Sequence, residues 1–283
     1  MPDYEDRRPT SEAADHTLDR ARALGFGAVA GAYAEFRPGY PDAAVDWALA
    51  PVSAPGRGRP LDLLDLGAGT GKLTASLLCR PGATVTAVEP DPEMLAVLRA
   101  ELPLVAAVPG TAEAIPLADD SVDAVLVGQA FHWFDMERAM GEIGRVLRPG
   151  GVVAALWNHE DGSVDWVAGY HRAEESERGA AGGRRRSGDN PDPLVHPDFE
   201  PPERADFDHT VRTTVARLIG ALGTRSWMLA IPPEEREAAF DRIRTYLAGV
   251  PELGLSGAGA EDREFELPLR TIVLRAVLRA ERR

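Results

Sequence analysis

The sequence predicts an α/β fold: a largely parallel sheet with helices on both faces. Three observations carry that expectation. Between residues 61 and 157, apolar runs of strand length alternate with helical patterns. The first of those runs ends in a cluster of glycines that opens a helix. The chain has 283 residues, 44% hydrophobic and 27% charged, enough for one large domain or a domain with an appended cap.

Residues 1–20 are polar and are expected to form a flexible N-terminus. Residues 21–60 read as a helical lid and linker. Two short helical patterns flank Arg37-Pro38-Gly39-Tyr40-Pro41, whose prolines interrupt the helix. Asp42 is placed to N-cap the second pattern, through Val45, Trp47 and Leu49. A Pro/Gly-rich stretch, 51–60, follows.

The core is expected over 61–157. Strands are predicted at Leu61–Leu66, Thr84–Val88, Val105–Val108, Val122–Val127 and Val152–Trp157. Helices are predicted at Lys72–Leu78, Pro92–Leu102 and Met136–Leu147, and a turn at Arg148-Pro149-Gly150-Gly151. Residues 158–283 would supply a cap insertion and the last strands of the sheet. Within them 176–204 shows no apolar periodicity and reads as a surface loop with a solvated Arg184–Arg186 run. Beyond it come a strand near Ala205–Val211, helices at Val215–Leu222 and Pro233–Leu247, and a final alternating strand within Glu264–Leu278.

Charge narrows the function. The formal net charge is −14, from 31 Lys and Arg against 45 Asp and Glu. That balance argues against nucleic acid and anionic membranes, which both select clustered basic residues. Half of the excess falls in 61–157, where 13 acids face 6 bases. Only one base in the chain, Lys72, is lysine. The single cysteine, Cys79, excludes an internal disulfide and suits a reducing, cytoplasmic setting; beside Leu73, Leu77 and Leu78 it reads as buried filler. No metal site is expected.

The most informative segment is Leu63-Leu64-Asp65-Leu66-Gly67-Ala68-Gly69-Thr70-Gly71-Lys72. Glycines at alternate positions let the backbone turn sharply and approach a ligand. Glu89 follows at the end of the next strand, where a carboxylate can accept from two ribose hydroxyls. The order Gly67-x-Gly69-x-Gly71 is neither the G-x-G-x-x-G of pyrophosphate binders nor a P-loop, since Leu73 follows Lys72.

An acid, three alternating glycines and a later Glu89 resemble the class I S-adenosylmethionine-dependent methyltransferases. The resemblance implies a seven-stranded Rossmann-like sheet and S-adenosylmethionine as cofactor, released as S-adenosylhomocysteine. It places the cofactor against Asp65, Gly67, Ala68, Gly69, Gly71, Glu89 and Pro90. Gly110-Thr111-Ala112-Glu113 looks like the adenine-contacting segment, with Ala112 and Glu113 at the adenine edge, although many relatives carry Asp where Thr111 stands. Ile143-Gly144-Arg145-Val146-Leu147-Arg148-Pro149-Gly150-Gly151 resembles the family's helix and turn before the fifth strand, to which no chemistry is assigned.

Gln129-Ala130-Phe131-His132-Trp133-Phe134 and Tyr33-x-x-x-Arg37-Pro38-x-Tyr40-Pro41 resemble the small-molecule branch that includes trans-aconitate methyltransferase-like enzymes. That likeness puts Tyr33, Arg37 and Gln129 near the methionyl end of the cofactor. It makes His132 and Gln129 catalytic candidates and Phe131, His132, Trp133, Trp157 and Arg225 candidates for the acceptor pocket. Packing is the alternative role for each aromatic, and a surface position for Arg225. The expected activity is methyl transfer to a small molecule at oxygen, by a monomer or homodimer. C-methylation of a quinone-like ring and a non-catalytic interaction subunit are the alternatives.

Overall fold

The computed structural model describes residues 30–53, 59–181, 194–229, 231–255, 257 and 259–280. Residues 1–20, the linker at 54–58 and Arg184–Arg186 lie outside them. Seven strands form one sheet: β1 Asp62–Leu66, β2 Thr84–Glu89, β3 Ala106–Pro109, β4 Val122–Gly128, β5 Leu147–Glu160, β6 Glu203–Thr213 and β7 Phe265–Val277. Their order is β3-β2-β1-β4-β5-β7-β6. β1 to β5 pair in parallel, and β7 runs antiparallel to both β5 and β6. Chain direction across the sheet reverses between β1 and β4, the switch point at which ligands bind outside the strands' carboxyl ends.

The parallel strands are buried on both faces, which is why they read as continuous apolar runs. On one face Leu64, Leu66, Val125, Val127, Val153 and Ala155 pack against helix α5 (Met136–Val146). On the other, Leu63, Leu126, Ala154 and Leu156 meet α2 (Asp42–Leu49) and α3 (Lys72–Leu78). Each fully buried Leu or Val contributes roughly 1.5–3 kcal/mol. α2 is thus a layer of the core, and Tyr40 from the segment before it packs on the same cluster, whereas α1 (Ala30–Phe36) contributes no residue to it. α1 packs between α4 (Pro92–Glu101) and α7 (Val215–Gly223), joining core to cap. Phe36 sits against Gly220, and Arg217 donates to the Glu35 carbonyl at 3.0 Å.

The cap has a separate apolar cluster, made by α6 (Asp165–Ala181), α7, α8 (Ser226–Leu229), α9 (Pro233–Ala248) and the start of β7. No helix among the described residues is long and apolar enough to cross a membrane.

Four expectations need correction. Arg148–Gly151 is part of β5 rather than a turn: Gly150 donates to the carbonyl of Leu278, just past the end of β7, and Leu278 donates to that of Gly151. α6 runs through Ala181, into the region read as loop. Asp42 lies inside α2 and caps nothing; Pro41 is the cap residue, and the Asp42 carboxylate pairs with Arg80. Cys79 is exposed, because it ends α3 on the solvent side.

Candidate active site

The glycine loop closes over the carboxyl ends of β1 and β2. The Gly67 and Ala68 amides both donate to the Val88 carbonyl, at 2.9 and 3.1 Å. Gly67, Gly69 and Gly71 have φ of +70°, +56° and +90°, where a side chain is strained. At Gly67 a Cβ would also come 2.8 Å from the Ala130 Cβ, so the post-β4 loop leaves no room for one.

Three carboxylates converge there. Asp65, fully buried at the end of β1, accepts from Thr74 Oγ1 at 2.6 Å through Oδ2. Its Oδ1 is buried without a partner. Burial pushes its pKa up to about 7, against the lowering effect of the Thr74 bond. Glu89 accepts from the Gly69 amide at 2.7 Å and the Asp91 amide at 2.8 Å, and burial raises it to about 6. Asp91 caps α4 through the amides of Glu93 and Met94 and keeps Oδ2 buried and unpartnered. Asp91 was not singled out from sequence, though an acid just before Pro92 is a cap signal. Pro90 is exposed between the two acids.

Ala112 is buried and Glu113 partly so, with Glu113 Oε1 accepting from the Asp135 amide at 3.0 Å. Arg145 holds the segment that follows. Its Nη1 donates to the Leu117 carbonyl and Asp119, and its Nη2 to the Ile115 carbonyl and Glu142, all at 2.7–2.8 Å.

The segment after α1 reaches across this edge. The Tyr40 ring packs with the α2–α3 side of the core, and burial with nearby Tyr33 and Asp65 pushes its phenol well above the ordinary range. Tyr40 was seen only as part of a motif; its contact with Gly128 is long-range and carries no local signal. The Arg37 guanidinium lies 5.1 Å from the Tyr33 ring centroid and donates through Nε to Thr224 Oγ1 at 3.0 Å. Burial pulls its pKa down from arginine's ordinary value.

Beyond β4 the candidates separate. Gln129 has φ +58° and donates through Nε2 to the Asn158 carbonyl at 3.0 Å, so its amide braces β5. His132 is exposed, with its ring 4.6 Å from that of Trp133, which is partly buried. Phe131 and Trp157 are core residues, 1% and 3% exposed and edge-on to each other at 6.4 Å. Arg225 is no unpaired cation awaiting a carboxylate: it is bound to Glu160 and Glu174, side chains to which the sequence drew no attention.

The family model described as a methyltransferase domain matches residues 64–155. An uncharacterized methyltransferase of Mycobacterium tuberculosis is 44% identical over 261 residues, 92% of this chain and 98% of the relative. The chain belongs to the class I methyltransferases. A solved chain from Anaeromyxobacter dehalogenans, assigned to the type II methyltransferases, superposes with a TM-score of 0.61 at 26% identity, covering 86% of this methyltransferase and 98% of that chain. The malonyl-[acyl-carrier protein] O-methyltransferase of Methylococcus capsulatus is 44% identical over 100 residues, 34% of this methyltransferase and 36% of that one.

The family uses S-adenosylmethionine, and the residues present suit it. Asp65 Oδ1 and Asp91 Oδ2 are buried acceptors without partners, and Gly67, Gly69 and Gly71 all hold the positive φ that bends the loop beside them.

Proposed function

We propose that this enzyme transfers a methyl group from S-adenosylmethionine to oxygen on a small-molecule acceptor. The observation that carries the reading is Asp65: a buried carboxylate beside the glycine loop, with one oxygen satisfied by Thr74 and the other bare. A desolvated, half-partnered carboxylate calls for a cation, and the cofactor's ammonium is one. In this reading Glu89 and Asp91 take the ribose hydroxyls, Ala112 and Glu113 the adenine edge, and Arg37 the methionyl carboxylate, with Tyr33 and Tyr40 closing over that end.

Bound there, S-adenosylmethionine supplies a methyl group already activated on a sulfonium. The chain's task is to align the acceptor and keep water out. Gln129 holds the post-β4 turn against β5. His132, on the same turn, takes the proton from an acceptor hydroxyl. The free thiol of Cys79 fits action in the cytoplasm.

Calorimetry with S-adenosylmethionine and S-adenosylhomocysteine tests the cofactor assignment; binding of neither would sink it. Labelled-cofactor transfer over phenols, alcohols, carboxylates and quinones then tests the acceptor. Methylation confined to ring carbon would overturn the oxygen assignment.

A further inference from the structure

Where β5 ends against the cap, two carboxylates meet one guanidinium. Glu160 ends β5 two residues beyond Asn158, so both side chains lie on one face of the strand. Arg225 stands between α7 and α8, and Tyr170, His171 and Glu174 come from α6. Arg225 Nη1 donates to Glu174 Oε1 at 2.6 Å, and Nη2 donates to Glu160 Oε1. His171 Nε2 lies 3.6 Å from Glu160 Oε2 and adds positive charge only when protonated. Glu160 is held far below the ordinary carboxylate range: Arg225 and His171 outweigh its burial.

Two carboxylates thus share one guanidinium. Arg37, the other cation close to Glu160, is engaged by the cofactor's carboxylate in the reading above, on which this inference rests. Without a proton on His171, what remains is one negative charge in excess on side chains only 3–20% exposed, where like charges repel more strongly than at an open surface. A second observation points to a ligand. Tyr170 is fully buried in the cap, its hydroxyl has no hydrogen-bond partner, and the charges of Arg225, Glu160, Glu174 and Arg37 act on it. A buried hydroxyl without a partner costs stability unless something binds it.

We infer that Glu160, Glu174, Arg225 and Tyr170 form the acceptor-recognition site, that it takes the hydroxyl end of an uncharged molecule, and that it rejects acceptors bearing a carboxylate there. The hydroxyl donates to a carboxylate of the pair and accepts from Tyr170. An acceptor carboxylate would meet the excess negative charge, because Arg225 is already engaged on both sides.

The test uses the full chain loaded with S-adenosylhomocysteine at pH 8.5. The probes are 2-phenylethanol and phenylacetate, which share a ring and differ in the charged end, read by saturation-transfer NMR. The alcohol is expected to bind at least tenfold more tightly than the acid. Glu174→Gln, which removes the excess charge without changing shape, is expected to narrow that ratio to below threefold. Tyr170→Phe, which deletes only the hydroxyl oxygen, is expected to weaken the alcohol about fivefold and leave the acid unchanged.

Phenylacetate binding as tightly as the alcohol would overturn the inference. So would a ratio unchanged in both variants, or no binding of either probe to protein that holds S-adenosylhomocysteine. Failure to bind S-adenosylhomocysteine at all would instead remove the cofactor reading.

Discussion

The Tyr40 hydroxyl stands 2.6 Å from the point where a Cβ on Gly128 would lie, so the 37–41 segment settles on β4 because residue 128 has no side chain. The same segment is tied down a second time. Asn158 donates to the Gly39 carbonyl at 2.9 Å, while its own Oδ1 accepts from Thr271 Oγ1 at 2.6 Å and its carbonyl from Gln129. The ends of β4 and β5, with the middle of β7, therefore position the 37–41 segment, which in the proposed reading covers the cofactor's methionyl end.

Gly128→Ala is expected to push Tyr40 off the strand and weaken S-adenosylhomocysteine about tenfold or more by calorimetry. Leu73 Cβ, 3.3 Å from the new methyl, leaves it no other way out. In a Tyr40→Leu background the same change should cost less than threefold, because the clashing ring is gone. Equal losses in both backgrounds would show that the contact does not matter.

Asp65 gives the enzyme a pH signature. Its pKa is about 7 in the folded protein, above the ordinary 3.8. Between those values the native state holds more protons than the unfolded chain, so this group's contribution to stability is full below the lower value and lost as pH rises through the upper one. Cofactor binding has the opposite sign, since an ammonium needs the carboxylate ionised. Affinity for S-adenosylmethionine should improve up to about tenfold per pH unit below 7 and flatten above it. Thr74→Val removes a bond that favours the ionised form, and should move the midpoint upward. A flat profile in the parent would detach Asp65 from the ammonium.

The parts that were legible in sequence are those set by local pattern. β1, the glycine loop and Glu89 follow from an apolar run, alternate glycines and one acid at the next strand's end. β7 showed itself as alternation, Phe265, Leu267 and Leu269 inward and Glu266 outward. What could not be read depends on distant partners. The Gly150-Gly151 pair looks like a turn until Leu278, just past the end of β7, pairs with it, and Arg225 looks like a free cation until Glu160 and Glu174 fold onto it. Phe131 and Trp157 carry no mark that distinguishes a core aromatic from a pocket one.

Arg145 is expected to act on cofactor binding without touching the cofactor. It spans the Ile115 and Leu117 carbonyls and Asp119, and Glu142 orients it while also accepting from the Ile115 amide. Arg145→Ala should raise hydrogen exchange over residues 113–119, and the dissociation constant for S-adenosylhomocysteine by about tenfold. It should also cost about 1–3 kcal/mol of stability, as the Leu117 carbonyl loses its guanidinium donor and Glu142 its partner. Arg145→Lys should rescue poorly, since one ammonium cannot match the planar fork. Unchanged exchange over 113–119 with lower stability would make Arg145 a fold residue only.

His132 is the remaining question of chemistry, and its exposure bears on the answer. It sits on a one-turn 3-10 helix, its ring tilted at 43° to that of Trp133, with its neighbour Phe131 anchored in the core. The turn is therefore fixed while the imidazole faces outward, which suits a base that meets the acceptor from outside. His132→Ala should lower the methylation rate of a hydroxyl acceptor by about a hundredfold or more and leave S-adenosylhomocysteine affinity within twofold. The slowed rate should also lose the parent's dependence on pH. His171→Ala, which removes the imidazole beside Glu160, should change acceptor KM more than kcat. If His132→Ala keeps the parent's rate and pH profile while His171→Ala loses both, the proton leaves toward the cap and His132 is a surface residue.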